Sequence, residues 1–179
     1  MAKIVFSERQ SFRQIVWIWV IIIPVAFLSV LGISLGFYQQ IIQGEPWGNE
    51  PMSDGGLIAM LLVAVIAQAL AIWIVSSLEL KIEITREEFR YRFFAYFTGW
   101  NTLTRDQISA YSVEKYSFWK GKGIGYRKNI ITKSVRMIIR PASILTLRTK
   151  EGKTLMLSTE NKEDLERAMH KLMSKSENF

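Results

Sequence analysis

Two apolar runs with no charged residue constrain this chain more than any other feature. No Asp, Glu, Lys or Arg occurs between Arg13 and Glu45, and Ile15 to Phe37 within that interval is predominantly apolar. Leu57 to Leu78 repeats the pattern. Each run is about 22 residues long, enough to cross a hydrocarbon core of ~30 Å. A soluble helix of that length would carry a polar stripe; neither run has one. The sequence therefore predicts transmembrane helices over 15–42 and 57–78. The stretch between them, 43–56, holds Pro46, Pro51, Gly48, Gly55 and Gly56 and reads as a short connector. The first run is too long for the apolar part of a signal peptide, and no small-residue cleavage site follows it.

Lys and Arg near the ends of the spans set the expected orientation. Residues 1–14 carry Lys3, Arg9 and Arg13. The connector carries Glu45, Glu50 and Asp54 but no Lys or Arg, and beyond the second run come Lys81, Arg86, Arg90 and Arg92. Both flanks are thus expected in the cytoplasm: 1–14 as a short arm, 79–179 as a domain, and the whole as a multi-pass protein of the inner membrane. Trp17, Trp19, Tyr38 and Trp47 fall where interfacial aromatic residues belong.

Within the spans, Gly32 and Gly36 form one small-residue pair, and Ala64, Ala67 and Ala71 form a small-residue stripe on the second helix. Such faces let helices approach closely, within the hairpin or between copies of the chain. Gln68 is expected to hydrogen-bond across to another helix, and Pro24 to bend the first. Neither span contains Asp, Glu, Lys, Arg or His, so a transport pathway is not expected.

After Leu78 the composition changes, with 20 Lys and Arg against 12 Asp and Glu. Leu78, Leu80, Ile82 and Ile84 alternate with polar residues, as do Phe89, Tyr91 and Phe93; both segments read as half-buried strands. Trp100 to Leu103, Ile108 to Tyr116, and a hairpin turning at Lys150–Lys153 add further strands. Leu165, Ala168, Met169, Leu172 and Met173 then share one helical face, with Asn161 as the expected N-cap. The expected fold is a membrane α-helical hairpin plus a mainly-β domain. That domain is a bent sheet or small barrel of about seven strands, capped by a C-terminal helix.

Several strings here resemble the bacterial pleckstrin-homology-like (PH-like) family: Ile82-Glu83-Ile84-Thr85, Tyr91-Arg92-Phe93, Arg105-Asp106-Gln107-Ile108, Trp119-Lys120-Gly121-Lys122-Gly123-Ile124, and the ending Leu145 to Leu157 with Ser158-Thr159 and Leu165. Many members place paired membrane helices directly before the domain. The resemblance implies a PH-type barrel with a capping helix and no known reaction. Arg140-Pro141-Ala142-Ser143 stands where the family usually has a Gly-containing turn.

Chemistry-bearing residues are few. There is no cysteine, and His170 is the single histidine, so neither a metal site, a cofactor nor catalysis is expected. The distinctive polar feature is Lys115 to Lys150, which holds ten basic residues and no acidic one. Trp119, Lys120, Lys122, Arg127 and Lys128 are its candidates for contact with anionic lipid headgroups. Nucleic acid is not expected as a partner. The leading expectation is a non-enzymatic interaction or scaffolding module that binds a protein partner or another copy of itself. A lipid-binding domain and an accessory subunit of a membrane complex are the alternatives.

Overall fold

The computed structural model describes residues 3–94, 99–117 and 123–174. The chain divides into a helical unit, 15–76, and a β unit made of 1–14 together with 77–179.

The helical unit consists of α1 (Val16–Phe37), a π-helical turn (Tyr38–Ile42) and α2 (Asp54–Ser77). Val16–Ile42 and Asp54–Ser77 are each long and apolar enough to cross a membrane. The second helix starts at Asp54 rather than at Leu57. Ser53 is the reason: its side chain accepts from the Gly56 N–H at 3.2 Å and its carbonyl from the Leu57 N–H at 2.9 Å. Asp54 then meets the positive end of the helix dipole. Hydropathy alone misses this polar first turn.

The small-residue faces do not act as one set. A Cβ at Gly36 would overlap the indole of Trp47, while Gly32 has nothing within 4 Å of that position. Gly36 therefore seats a connector side chain rather than the second helix. Ala64 and Gln68 are half-buried, whereas Ala67 and Ala71 are exposed. Gln68 donates to the Ser29 hydroxyl on α1, which in turn donates to the Ala26 carbonyl at 2.9 Å. That is the cross-helix amide bond expected of a lone polar residue in a span.

The β unit contains β1 (Ile4–Ser11), β2 (Glu79–Thr85), β3 (Glu88–Phe94), β4 (Asn101–Thr104), β5 (Ile108–Lys115), β6 (Gly125–Asn129), β7 (Ser134–Ile138), β8 (Ser143–Thr149), β9 (Thr154–Thr159) and the helix α3 (Lys162–Met173). They form two sheets, ordered β1-β2-β3-β4 and β5-β8-β9-β7-β6. All pairs are antiparallel except β7 with β9, which run parallel. The alternation read from the sequence is the burial pattern of β2, where Leu80, Ile82 and Ile84 are buried. Phe89 and Phe93 join them from β3, and Leu145, Leu147 and Leu157 from the second sheet. Leu165, Ala168, Met169 and Leu172 form the buried face of α3, which packs on β1 and β2. Asn161 occupies the N-cap position but makes no side-chain capping bond.

Two differences from the expected layout matter for function. Residues 3–14 of the expected arm belong to the β unit: Ile4–Ser11 is the edge strand of the first sheet, paired with β2 from Ile4↔Thr85 to Ser11↔Glu79. The basic stretch also contributes a hairpin of its own, β6–β7. The count is nine described strands rather than about seven.

Candidate functional site

Three places in the β unit carry polar chemistry. The first is a buried hydrogen-bond network under β1, whose inward positions are Phe6, Glu8 and Gln10. The Glu8 carboxylate, 8% exposed, accepts from the Thr159 hydroxyl at 2.6 Å, the Glu160 N–H at 2.8 Å and the Gln10 amide at 2.6 Å. The Gln10 carbonyl oxygen accepts from the Ser158 hydroxyl at 2.6 Å and the Arg140 N–H at 3.1 Å. Arg140 also pairs with Glu160 at 3.1 Å and donates to Gln14 at 3.1 Å. Every oxygen of Glu8 is thus satisfied, as a buried carboxylate requires. The arrangement is a clasp holding β1 to the β7–β8 and β9–α3 connections.

The second place is the β6–β7 hairpin. Trp119, Lys120 and Lys122 lie outside the described residues. Arg127 and Lys128 are both exposed, but as neighbours in a strand they point to opposite faces. They do not form a joint site. Arg127 instead stands directly opposite Arg136. With Asn129, Thr132 and Ser134 these two line a shallow depression of about 210 Å³. At the turn, the Asn129 side chain accepts from the N–H groups of Ile131 and Thr132 at 3.0 and 3.1 Å. Lys133 takes a left-handed conformation there, with φ 46°. The tip so formed leaves Ile130 82% and Ile131 94% exposed. Two adjacent, nearly bare isoleucines on a hydrogen-bonded turn form an apolar point with a basic collar. The pair was legible as Ile-Ile in the sequence, but only the turn reveals that neither is buried.

Other cations of the basic stretch serve different ends. Arg140 belongs to the clasp, and Arg148 lies on the outward face of the second sheet, beside a depression lined by Ala110, Ser112 and Met156. The third place was invisible to sequence reading, because its residues are scattered along the chain. Lys3, Arg86, Arg105 and Lys171 border an open cleft where β1, the β2–β3 turn, the β4–β5 junction and the end of α3 meet.

Among the described residues, no three His, Asp or Glu side chains are grouped so as to hold a metal ion. His170 is exposed on α3, where its carbonyl accepts from the Ser174 N–H at 2.7 Å. Tyr91, on β3, is half-buried, and its phenol is pushed above the ordinary value by that burial and by the neighbouring Tyr126.

Comparison with known proteins finds no match to a family model, to a curated protein or to a solved structure.

Proposed function

We propose that this chain is a non-enzymatic, membrane-anchored interaction module of PH-like type, presenting the Ile130–Ile131 tip to a protein partner or to a second copy. The helices hold it in a cytoplasmic membrane of bacterial type, with both flanks on the cytoplasmic side. One observation carries the proposal, the exposed apolar tip. Burying two isoleucines against a partner contributes about 3–6 kcal/mol, and exposed, clustered apolar side chains of this kind mark contact sites.

The surroundings of the tip within the β unit favour a protein partner. The chain leaves for the helices at Phe12 and returns at Leu78, where the Phe12 N–H donates to the Leu78 carbonyl at 3.1 Å. From there β2 runs away to the Thr85–Glu88 turn. The Arg105 N–H donates to the Glu87 carbonyl at 3.4 Å, the Lys150 N–H to the Gln107 carbonyl at 2.9 Å, and the Thr154 N–H to the Lys133 carbonyl at 3.1 Å. That series of bonds ties the β6–β7 tip to the end of the unit remote from the Phe12–Leu78 junction. A basic collar around an apolar point also suits a partner with an acidic rim.

The same junction supports the shared sidedness of the flanks. β1 precedes the helices and β2 follows them, yet they pair in one sheet. Two spans between paired strands must return the chain to the side it left, which agrees with the distribution of Lys and Arg.

A photo-crosslinking residue at position 131 of the full-length protein, activated in cells, tests the proposal. A protein adduct or a homodimer is expected, and it should disappear when Ile130 is replaced by Ser in the same chain. Adducts with lipid alone would favour the headgroup-binding alternative, and no adduct at all would sink the proposal. Tags placed before Lys3 and after Phe179 that react from opposite sides of intact cells would sink the shared sidedness.

A further inference from the structure

The cleft bordered by Lys3, Arg86, Arg105 and Lys171 has an open volume of about 550 Å³. Its remaining lining is Ile4, Val5 and Ser174, so no acidic side chain among the described residues lines it. The four cations come from four separate segments of the chain. Lys3 precedes Ile4, which pairs with Thr85. Arg86 follows Thr85, whose hydroxyl accepts from the Glu87 and Glu88 N–H groups at 3.2 and 3.1 Å. Arg105 is tied to that turn through its own N–H, and Lys171 lies in the last turn of α3. The helix carboxyl end brings negative partial charge to the rim, which Lys171 offsets.

None of the four cations is ion-paired to a carboxylate among the described residues, although the unit elsewhere pairs its charges, as in Arg9 with Glu79, Arg140 with Glu160 and Lys153 with Glu151. Like charges gathered on packed elements repel one another, and a bound anion would relieve that repulsion. One phosphate carries at most about two negative charges, less than the four positive charges present. Among the described residues, the lining holds no aromatic side chain on which a base could stack.

The geometry points to a binding site for a ligand carrying two or more phosphate groups, held by charge-assisted hydrogen bonds from Arg86 and Arg105 with Lys3 and Lys171 completing the charge. The cleft lies at the far end of β1 and β2 from the Phe12–Leu78 junction, about 20 Å away by the length of β2. The site lies wholly within the β unit and does not rest on the tip-binding proposal.

The test uses the full-length protein in nanodiscs of phosphatidylcholine, titrated calorimetrically with inorganic pyrophosphate, and in parallel with vesicles containing cardiolipin, a lipid with two phosphates. Saturable pyrophosphate binding is expected, weakened tenfold or more in the Arg86→Gln/Arg105→Gln variant and severalfold by Lys171→Gln alone, which changes only an exposed helix position. Arg127→Gln/Lys128→Gln, outside the cleft, should leave it unchanged. Cleft-dependent binding to cardiolipin vesicles without pyrophosphate binding would assign the same site to a lipid headgroup. No saturable binding in either arm, or equal weakening by the Arg127→Gln/Lys128→Gln control, would overturn the inference.

Discussion

β1 and β2 are neighbours in one sheet, pair in continuous register from Phe6 to Ser11, and flank the same helical insertion, yet they are held by different physics. β2 turns Leu80, Ile82 and Ile84 inward, and all three are essentially inaccessible to solvent. β1 turns Phe6, Glu8 and Gln10 inward, so two of its three buried side chains are polar. Apolar burial is non-directional and tolerates small shifts. A hydrogen-bond network does not: Glu8 and Gln10 find their partners in one position of β1 only, because a one-residue slip would turn both outward. The core strand supplies cohesion, and the clasped strand supplies register. The unit can therefore place its discontinuous N-terminal strand correctly after a helical detour of some sixty residues, 15–76.

The largest effect should come from the apolar side of this contrast. Ile82→Ala removes a fully buried side chain from the middle of β2 and should destabilise the β unit by about 2–5 kcal/mol. In hydrogen-exchange mass spectrometry of the protein in detergent, exchange should accelerate throughout both sheets and α3. Acceleration confined to β2 would mean that the two sheets do not share one cooperative core.

Glu8→Ala should be smaller and local. It strands the Thr159 hydroxyl and the Glu160 N–H, at a cost of about 1–3 kcal/mol. Faster exchange is expected in β1 and at the β9–α3 connection, with the β5–β8 pair unchanged. Glu8→Gln keeps an acceptor for the Glu160 N–H and should lose less than Glu8→Ala. If the two variants behave alike, the carboxylate is not what registers β1.

On the outward face of the same strands, Arg9 pairs with Glu79 while itself largely exposed. Arg9→Ala should change stability by no more than about 0.2–1 kcal/mol, and less at high salt. A larger loss would move the register-setting role from the inward to the outward face of β1.

The same contrast explains what could be read from the residues alone. The two long apolar helices were legible because hydropathy is a sum over some twenty positions and survives any single exception. β2, β3, the last hairpin and α3 were legible because their buried positions are apolar at period 2 or 3.6. β1 was not, since Ser7-Glu8-Arg9-Gln10 has the composition of a solvated tail; pairing with β2 makes it a strand, and partners on β9 bury its polar side chains. The cleft escaped for a related reason. Lys3, Arg86, Arg105 and Lys171 meet through sheet pairing and helix packing over sequence separations that no local pattern spans. The uninterrupted basic run drew attention to Arg127 and Lys128, whose strand geometry then separated them onto two faces.

Tyr91 offers the smallest and most selective probe, because it reports on the apolar side alone. It lies beside the buried Phe89, their ring centroids 6.1 Å apart. Burial, and secondarily Tyr126, raises its pKa above the ordinary 10.0. A phenol whose folded-state pKa is raised contributes stability that is fully present below its unfolded pKa and is lost as pH rises through the folded one. The β unit should therefore be insensitive to Tyr91 at neutral pH and lose stability above about pH 10. Tyr91→Phe should remove part of that alkaline sensitivity without affecting exchange in β1 at pH 7. Ultraviolet titration of the tyrosines should show one late-ionising phenol missing in the variant. If the late transition persists in Tyr91→Phe, the phenol of Tyr91 is not shielded by the core, and the apolar side of the sheet is more open to water than its buried residues indicate.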